Sequence, residues 1–177
     1  MLSRAARFRA SRTGGATIMT EILIYQLQRQ PLERVLPALV EKSLERGWRV
    51  IVQAASEERL EALDAHLWTF RDDSFLPHGI WRETEAGEQP VLLTLDGGNP
   101  NGAEVRFLID GVPMPPDAEN YQRLVLLVDG EDPDAVAAAL AHQNEGKAKG
   151  FDVTYWRPDE DGRWRRLGEP SGVAAAD

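Results

Sequence analysis

The sequence contains no cysteine, and this absence excludes several classes of site. Disulfides, thiolate catalysis and cysteine-bound metals all require that residue. Histidine occurs at only three positions, His66, His78 and His142, and their wide spacing argues against a histidine zinc site. No apolar run approaches 18 residues, so no membrane-spanning segment is predicted. We therefore expect no metal site and no contact with a membrane.

Positive charge is scarce outside the N-terminal segment. The 177 residues include 29 acidic and 20 basic side chains, for a net charge of −9. Residues 1–18 hold four arginines and no acid, and removing these four positive charges from −9 leaves −13 for the rest. Residues 19–177, with this net negative charge, repel phosphate backbones unless basic residues are concentrated locally. Direct, non-specific binding of nucleic acid is therefore disfavoured, and any contact with nucleic acid is expected only indirectly, through other proteins.

Length and composition fit one domain between two terminal segments. The Arg-rich, acid-free residues 1–18 have the composition of an organelle transit peptide but lack the apolar stretch of a secretory signal. Met19 directly precedes the first strand-like run. We predict that residues 1–18 are a disordered tail or an over-extended start, that residues 19–167 form the domain, and that residues 168–177 are a disordered tail.

The apolar pattern of the first half alternates between strand and helix. Residues 21–25 and 48–53 are short apolar runs typical of buried strands. Between them, apolar residues at spacings of three and four predict a helix that ends at Gly47, in which Pro37 fits only near the first turn. A second helix after Ser56 carries a leucine stripe. This β-α-β-α order predicts an α/β fold: a single Rossmann-like, three-layer domain with a mostly parallel central sheet.

The second half continues this pattern. Strands are predicted over residues 90–95, 105–109 and 124–128, the last of them at the sheet centre because it is wholly apolar. A proline-rich loop is predicted around residues 114–120. Asp132 and Pro133 are typical of a helix start, and that helix runs to about Lys149. Phe151 to Trp156 alternates like an edge strand, and a turn at Asp161-Gly162 precedes Arg163-Trp164-Arg165.

The turn after the first strand, residues 26–30, has no glycine. A phosphate-binding loop needs glycine there so that the backbone can approach the phosphate. The glycine-rich residues 97–102 join two predicted strands, which favours a plain turn. The sequence therefore predicts no nucleotide-binding loop and no cofactor.

Residues 67–79 hold three aromatics, a proline and a histidine at the end of a predicted helix. Such a segment either fills a core or offers aromatic anchors to a partner. An alternative is a small-ligand-binding or hydrolytic enzyme that uses Asp72, Asp73 and His78, which would need to converge with a group such as Asp96 in one pocket. No triad or zinc motif accompanies these residues, so no catalytic residue is predicted.

The last predicted helix presents a mixed stripe. Val136, Leu140, Gln143 and Lys147 follow one another at spacings of four, three and four, which places them on one face. Lys147 and Lys149 stand in the last turn, where cations complement the helix dipole. Either the lysines serve only the dipole, or the stripe captures an acidic peptide.

Together these segments resemble the chi subunit family of the bacterial DNA polymerase III holoenzyme. The resemblance is carried by Leu67-Trp68, Ser74-Phe75-Leu76-Pro77-His78, Pro90-Val91, Gly150-Phe151 and Thr154-Tyr155-Trp156. It covers about residues 19–166 and favours Met19 as the natural beginning.

The resemblance implies a cytoplasmic, non-catalytic replisome accessory subunit with two protein partners. These are the psi subunit of the clamp loader and the acidic C-terminal tail of single-stranded-DNA-binding protein. The psi surface, or that of another protein such as a helicase, would use Trp68, Phe75, Leu76 and Pro77. The tail site would use Val136, Leu140, Gln143, Lys147 and Lys149.

The sequence departs from the family in the last helix. The family's tail site relies on basic residues in the middle of that helix, whereas residues 137–143 contain no lysine or arginine. His142 is the one side chain there that can become cationic. Arg123 and Arg157 are alternative donors of positive charge.

Overall fold

The structure is a computed structural model that describes residues 19–69, 77–82 and 85–167. Both predicted terminal tails lie outside these residues. So do Asp72, Asp73, Phe75 and Leu76, which belong to the aromatic segment.

Strands and helices alternate along most of the described chain. The elements in chain order are β1 (Glu21–Leu27), α1 (Leu32–Glu45), β2 (Val50–Gln53), α2 (Glu57–Thr69), β3 (His78–Ile80), β4 (Val91–Thr94), β5 (Val105–Leu108), β6 (Arg123–Asp129), α3 (Pro133–Ala148), β7 (Asp152–Pro158) and β8 (Trp164–Leu167). Two single 3₁₀ turns, Ala86–Glu88 and Ala118–Asn120, lie in the connections. No helix in this part of the chain has the length and apolarity needed to cross a bilayer.

The eight strands form one sheet in the order β3-β4-β2-β5-β6-β1-β7-β8. Neighbouring strands are parallel except for the antiparallel β7–β8 pair. The predicted α/β fold with a mostly parallel sheet is confirmed. β6 lies in the middle of the sheet beside β1, as its continuous apolar sequence requires, because both of its faces are covered.

Helices cover both faces of the sheet and make three layers. On one face, α1 and α2 pack against alternate residues of β2, β4, β5 and β6 through the buried side chains Val35, Leu36, Val40, Leu60, Leu63 and Leu67. On the other face, α3 packs through Ala135, Val136 and Ala139 on residues of β1, β6 and β7. Complete burial of one leucine stabilises the fold by roughly 1.5–3 kcal/mol. The buried leucines of α1 and α2 therefore contribute much of the stability of the core on this face.

Gly146 lets α3 approach the sheet closely. A Cβ at this position would lie 2.9 Å from Cδ1 of Ile22 on β1 and 2.9 Å from Cγ2 of Val153 on β7. Contacts this short force the neighbours to move, and Val153 is a stiff β-branched side chain. The absence of a side chain at Gly146 therefore determines how closely α3 packs on β1 and β7.

The connection between β4 and β5 is fixed by a buried arginine. Arg106 on β5 is fully buried, and its guanidinium donates to the backbone oxygens of Asp96 and Gly98 at 2.5 and 2.9 Å. It also donates to Gln53 Oε1 and to the Tyr121 hydroxyl. The plain turn predicted here is wrong: β4 and β5 are both parallel to β2, which lies between them, so residues 95–104 cross back to the amino end of the sheet. Arg106 bonds two of the carbonyls at the start of this crossover.

Three further local predictions are wrong. Pro37 is the sixth residue of α1 rather than a residue of its first turn, and His66 bonds the Glu33 carbonyl that Pro37 leaves without a backbone donor. β3, which begins at His78, was not predicted, because a strand of three residues is too short for its pattern to show. β7 was expected at the sheet edge, yet β8 pairs with it on the outer side and forms the edge.

Candidate protein-binding surfaces

Trp68 stands on the outer side of α2, one residue before its end. The preceding residue, Leu67, is 1% exposed and packs in the core. One residue further along a helix is about 100° around its axis, so Trp68 turns away from the core. Its side chain is 52% exposed, which is unusual for the largest apolar side chain. An aromatic ring held at the surface in this way is typical of a binding anchor.

His78 supports the Trp68 ring from beneath. It is 7% exposed, and its ring centroid lies 4.6 Å from that of Trp68 at an interplanar angle of 49°. Nε2 of His78 lies 3.1 Å from Oδ1 of Asp64, one turn before Trp68 on α2. Pro77, which is half-buried, leads into β3 directly before this histidine. The structure thus brings Trp68, Pro77 and His78 together, and we call Trp68 with Pro77 the Trp68 surface.

The residues expected of an enzyme site do not converge among those described. His78 is paired with Val91 at the amino end of β4, whereas Asp96 follows that strand by two residues and is exposed. The two side chains therefore lie at opposite ends of β4, whose first and last residues are about 10 Å apart. Asp72 and Asp73 lie outside the described residues. Within the described ranges, no group of three His, Asp or Glu side chains is arranged to hold a metal ion.

A cleft of about 660 Å³ opens at the carboxyl ends of β1, β5 and β6, between the start of α1 and the start of α3. Open α/β sheets commonly bind ligands at this place. Its charged lining is mostly acidic: Glu33, Asp110, Asp129, Glu131, Asp132 and Asp134, against Arg29 and Arg59. Neither His78 nor Asp96 lines it.

Arg59, one of the two arginines that line this cleft, already bonds two carboxylates. Arg59 donates to both oxygens of Asp110 and to Glu33, and these bonds hold the pKa of Arg59 above its usual range. The N-terminus of α3 is capped by its own Asp132, which accepts from the Asp134 N–H at 3.0 Å. The net acidic lining therefore disfavours phosphates in this cleft. Of the two helix N-termini that line it, α3 is capped by its own side chain, whereas α1 has no side-chain cap.

The mixed stripe predicted on the last helix, Val136, Leu140, Gln143 and Lys147, lies on α3, and we call it the α3 stripe. Val136 and Gln143 are half-buried, whereas Leu140 is 47% exposed and Lys147 is exposed. Lys149 follows Lys147 by two residues, or roughly 200° around the helix. It pairs with Glu145 at 3.2 Å. The structure therefore groups the first four predicted residues and places Lys149 on another side.

The α3 stripe faces the β7–β8 side of the sheet. Ala138 and His142, on the opposite flank of α3, line the cleft beside β6. Because β6 and β7 lie on either side of β1 beneath this helix, the other flank turns toward β7 and β8.

The β7–β8 hairpin forms the edge of the sheet on this side. Tyr25 of β1 packs against Trp156 and Trp164 of the hairpin, with ring centroids 6.3 and 5.0 Å apart. These aromatics lie on the sheet face opposite α3, since β7 alternates and Tyr155 belongs to the α3 core. Arg157 and Arg165 are paired across the two strands and share the face of Tyr155.

The sequence missed the second of these arginines. Arg157 was named as an alternative donor, and the structure places it on the α3 side of the sheet. Arg165 was not singled out, although the run Arg163-Trp164-Arg165-Arg166 was a visible signal. Arg123 was the other alternative, and it lies on the opposite face, bonded to Glu21 at 2.8 Å and stacked over the Trp48 ring.

Comparison with known proteins identifies one family. Residues 19–154 match the model of the family described as DNA polymerase III chi subunit, HolC. A curated relative from Pseudomonas aeruginosa, named DNA polymerase III subunit chi, is 35% identical over 91 residues. A relative from Rickettsia prowazekii, named probable DNA polymerase III subunit chi, is 26% identical over 91 residues. These stretches cover 51% of this chain and 61% and 55% of the two relatives, so the chain spans little more than half the length of each.

Proposed function

Because the chain belongs to the DNA polymerase III chi subunit family, a family of replication accessory subunits, we propose that it is a non-catalytic adaptor within the replisome. In this proposal it links the clamp loader, through the psi subunit, to the acidic C-terminal tail of single-stranded-DNA-binding protein. The observation that carries the proposal is Trp68, a half-exposed tryptophan whose ring rests on the buried His78.

The Trp68 surface is the proposed site for psi. A large side chain that is already fixed by its neighbours loses little conformational freedom when a partner covers it. The contact with His78 provides that fixing here. Phe75 and Leu76 remain part of this proposal by virtue of their place in the sequence.

The α3 stripe is the proposed site for the acidic tail. Leu140 offers exposed apolar surface and Lys147 a positive charge on the same flank of the helix. The two proposed sites lie apart, because α2 and α3 cover opposite faces of the sheet. One chain can therefore hold both partners at once, which is what an adaptor requires. We place this activity in the cytoplasm.

A pull-down tests both arms of the proposal. The full chain is immobilised and offered the psi subunit and single-stranded-DNA-binding protein of the same organism, the latter with and without its last ten residues. Retention of psi and of the intact binding protein, with loss of the tailless form, supports the adaptor. Equal recovery of the tailless form, or recovery of neither, contradicts the tail arm.

The psi arm has its own control. Trp68→Ala should lose psi while retaining the single-stranded-DNA-binding protein, since the two sites are on different faces. If a helicase rather than psi co-purifies through Trp68, the surface is an anchor for another partner and the clamp-loader link is wrong.

A further inference from the structure

We propose that Arg157 and Arg165 of the β7–β8 hairpin complete the acidic-peptide site on the α3 stripe. The ligand would be an extended segment that carries carboxylates beside apolar side chains. The inference rests on the proposed function, because it adds residues to the proposed tail site.

The α3 stripe alone has too little charge for a ligand with several carboxylates. Val136, Leu140 and Gln143 are uncharged, and Lys147 stands near the C-terminal end of the helix. A single exposed ion pair contributes little to recognition, because water and salt screen it. A second source of positive charge is therefore required near Leu140.

The hairpin supplies such a source. Arg157 and Arg165 are direct cross-strand partners, and both side chains are exposed on the sheet face that α3 covers. Like charges directly opposite one another are unfavourable in a sheet. An anion between them removes that repulsion, so the pair is suited to a carboxylate.

Asp159 of the hairpin bonds only one of these two arginines, and only through one of its nitrogens. Asp159 accepts from Nε of Arg165 at 2.8 Å, which leaves the two terminal amino groups of that guanidinium for a ligand. Among the described residues, no carboxylate forms a salt bridge with Arg157. Asp159 thus acts as a positioning residue that orients Arg165.

Apolar surface accompanies the charge. Leu167 is paired with Tyr155, so it lies on the same face as Arg165 and two residues from it, and it is 36% exposed. With Leu140, it gives two exposed leucines on the neighbouring flanks of α3 and the hairpin. Since the rest of the body is strongly acidic, this is where an acidic and partly apolar peptide meets complementary charge.

Arg157, Arg165 and Leu167 lie beyond the segment that matches the family model. That segment ends at residue 154, near the start of β7. The positive charge absent from the middle of α3 is thus present in residues that follow the matched segment.

Fluorescence anisotropy of the full chain provides the test. The probe is a labelled peptide of the last ten residues of the single-stranded-DNA-binding protein from the same organism. The double substitution Arg157→Gln and Arg165→Gln should weaken binding about tenfold. The double substitution Arg34→Gln and Arg166→Gln removes the same net charge from exposed α1 surface and from the other face of β8, and should leave binding unchanged.

Two further measurements separate charge from fold. The double substitution Arg157→Lys and Arg165→Lys should retain most of the binding. The glutamine and the lysine double variants of Arg157 and Arg165 should both unfold close to the wild-type midpoint. A peptide with asparagine in place of each aspartate should bind the wild type weakly. Its affinity for the Arg157→Gln, Arg165→Gln variant should be no lower than its affinity for the wild type.

The outcomes distinguish this inference from the proposed function. If the wild type binds the peptide and the double glutamine variant binds equally well, the hairpin assignment is overturned while the tail arm stands. If the wild type does not bind the peptide, both are overturned. If a single-stranded thymidine oligonucleotide, rather than the peptide, binds in an arginine-dependent manner, the hairpin is a nucleic-acid site and the inference is wrong.

Discussion

His66 on α2 compensates for Pro37 on α1. A proline at position 37 cannot donate to the carbonyl of Glu33, four residues earlier, and Nε2 of His66 lies 2.6 Å from that oxygen. Because a carbonyl only accepts, His66 donates the hydrogen bond through Nε2. The two helices on this face are therefore joined at the point where α1 lacks a backbone bond.

This relationship predicts energetic coupling between the two residues. His66→Ala should lower the free energy of unfolding by about 1–2 kcal/mol, since it leaves the Glu33 carbonyl without a donor. In a Pro37→Ala background the loss should shrink, because an alanine at that position restores the backbone N–H. Urea unfolding of the four proteins measures the coupling. Equal losses in both backgrounds would show that the hydrogen bond does not depend on the proline.

Trp68→Ala should weaken binding to the psi subunit more than it weakens the fold. An aromatic anchor at an interface is worth about 2 kcal/mol or more, which corresponds to a Kd raised roughly 30-fold. The free energy of unfolding should change by less than about 1 kcal/mol, because the side chain is 52% exposed. Isothermal titration and thermal unfolding measure the two effects.

Trp81→Ala is the matched control for this prediction. Trp81 is also exposed, at 36%, but it follows the far end of β3. Its neighbour Arg82 pairs with Glu57 and Glu61 near the start of α2, away from Trp68. Equal losses of psi affinity in both tryptophan variants would argue against a localised Trp68 surface.

Arg106→Met should strongly destabilise the domain. The substitution preserves much of the side-chain volume but strands the Gln53 amide oxygen and the carbonyls of Asp96 and Gly98. Hydrogen bonds from a charged donor are worth about 1.5–3 kcal/mol each, so a total loss near 3 kcal/mol or more is expected. Arg123→Met, at a partly exposed arginine, should cost less than about 1 kcal/mol. Similar losses in urea unfolding would contradict this ranking.

Asp159 should titrate below the ordinary range of an aspartate. The hydrogen bond from Arg165 is the main cause of its lowered pKa, followed by those from the backbone N–H groups of Arg163 and Asp161. Because the folded pKa is depressed, the contribution to stability is present above the unfolded pKa and is lost as pH falls through the folded pKa. A carboxyl NMR titration between about pH 2 and 6 follows this group.

Two arginine variants isolate the cause. Arg165→Gln removes the side-chain donor and should raise the pKa of Asp159 toward its usual value. Arg163→Gln keeps the backbone N–H that bonds Asp159, so the pKa should remain low. An unchanged pKa in Arg165→Gln would show that Asp159 does not position that arginine.

Long elements with a clear period could be predicted from the sequence. The leucine spacing of α2 and the continuous apolar run of β6 each determine one structure, because every residue contributes to the same buried face. β3 could not be found, since three residues that begin with a histidine show no period. The place of β7 depended on whether residues 164–167 return beside it, which is a tertiary relationship.

The candidate sites divide in the same way. The sequence placed Trp68 one residue after the last buried leucine of its helix, and this spacing already implies exposure. It could not place Arg157 beside Arg165, because their pairing depends on the register of the hairpin. Nor could it show that Arg123 lies against Trp48, on the face away from α3.

A bridging assay tests the adaptor proposal most directly. The psi subunit is immobilised, single-stranded-DNA-binding protein is added, and its retention is measured with and without this chain. We predict retention only when the chain is present and the binding protein has its acidic tail, with loss in Trp68→Ala. No retention in the presence of the chain, or retention that does not depend on the tail, would contradict the proposal.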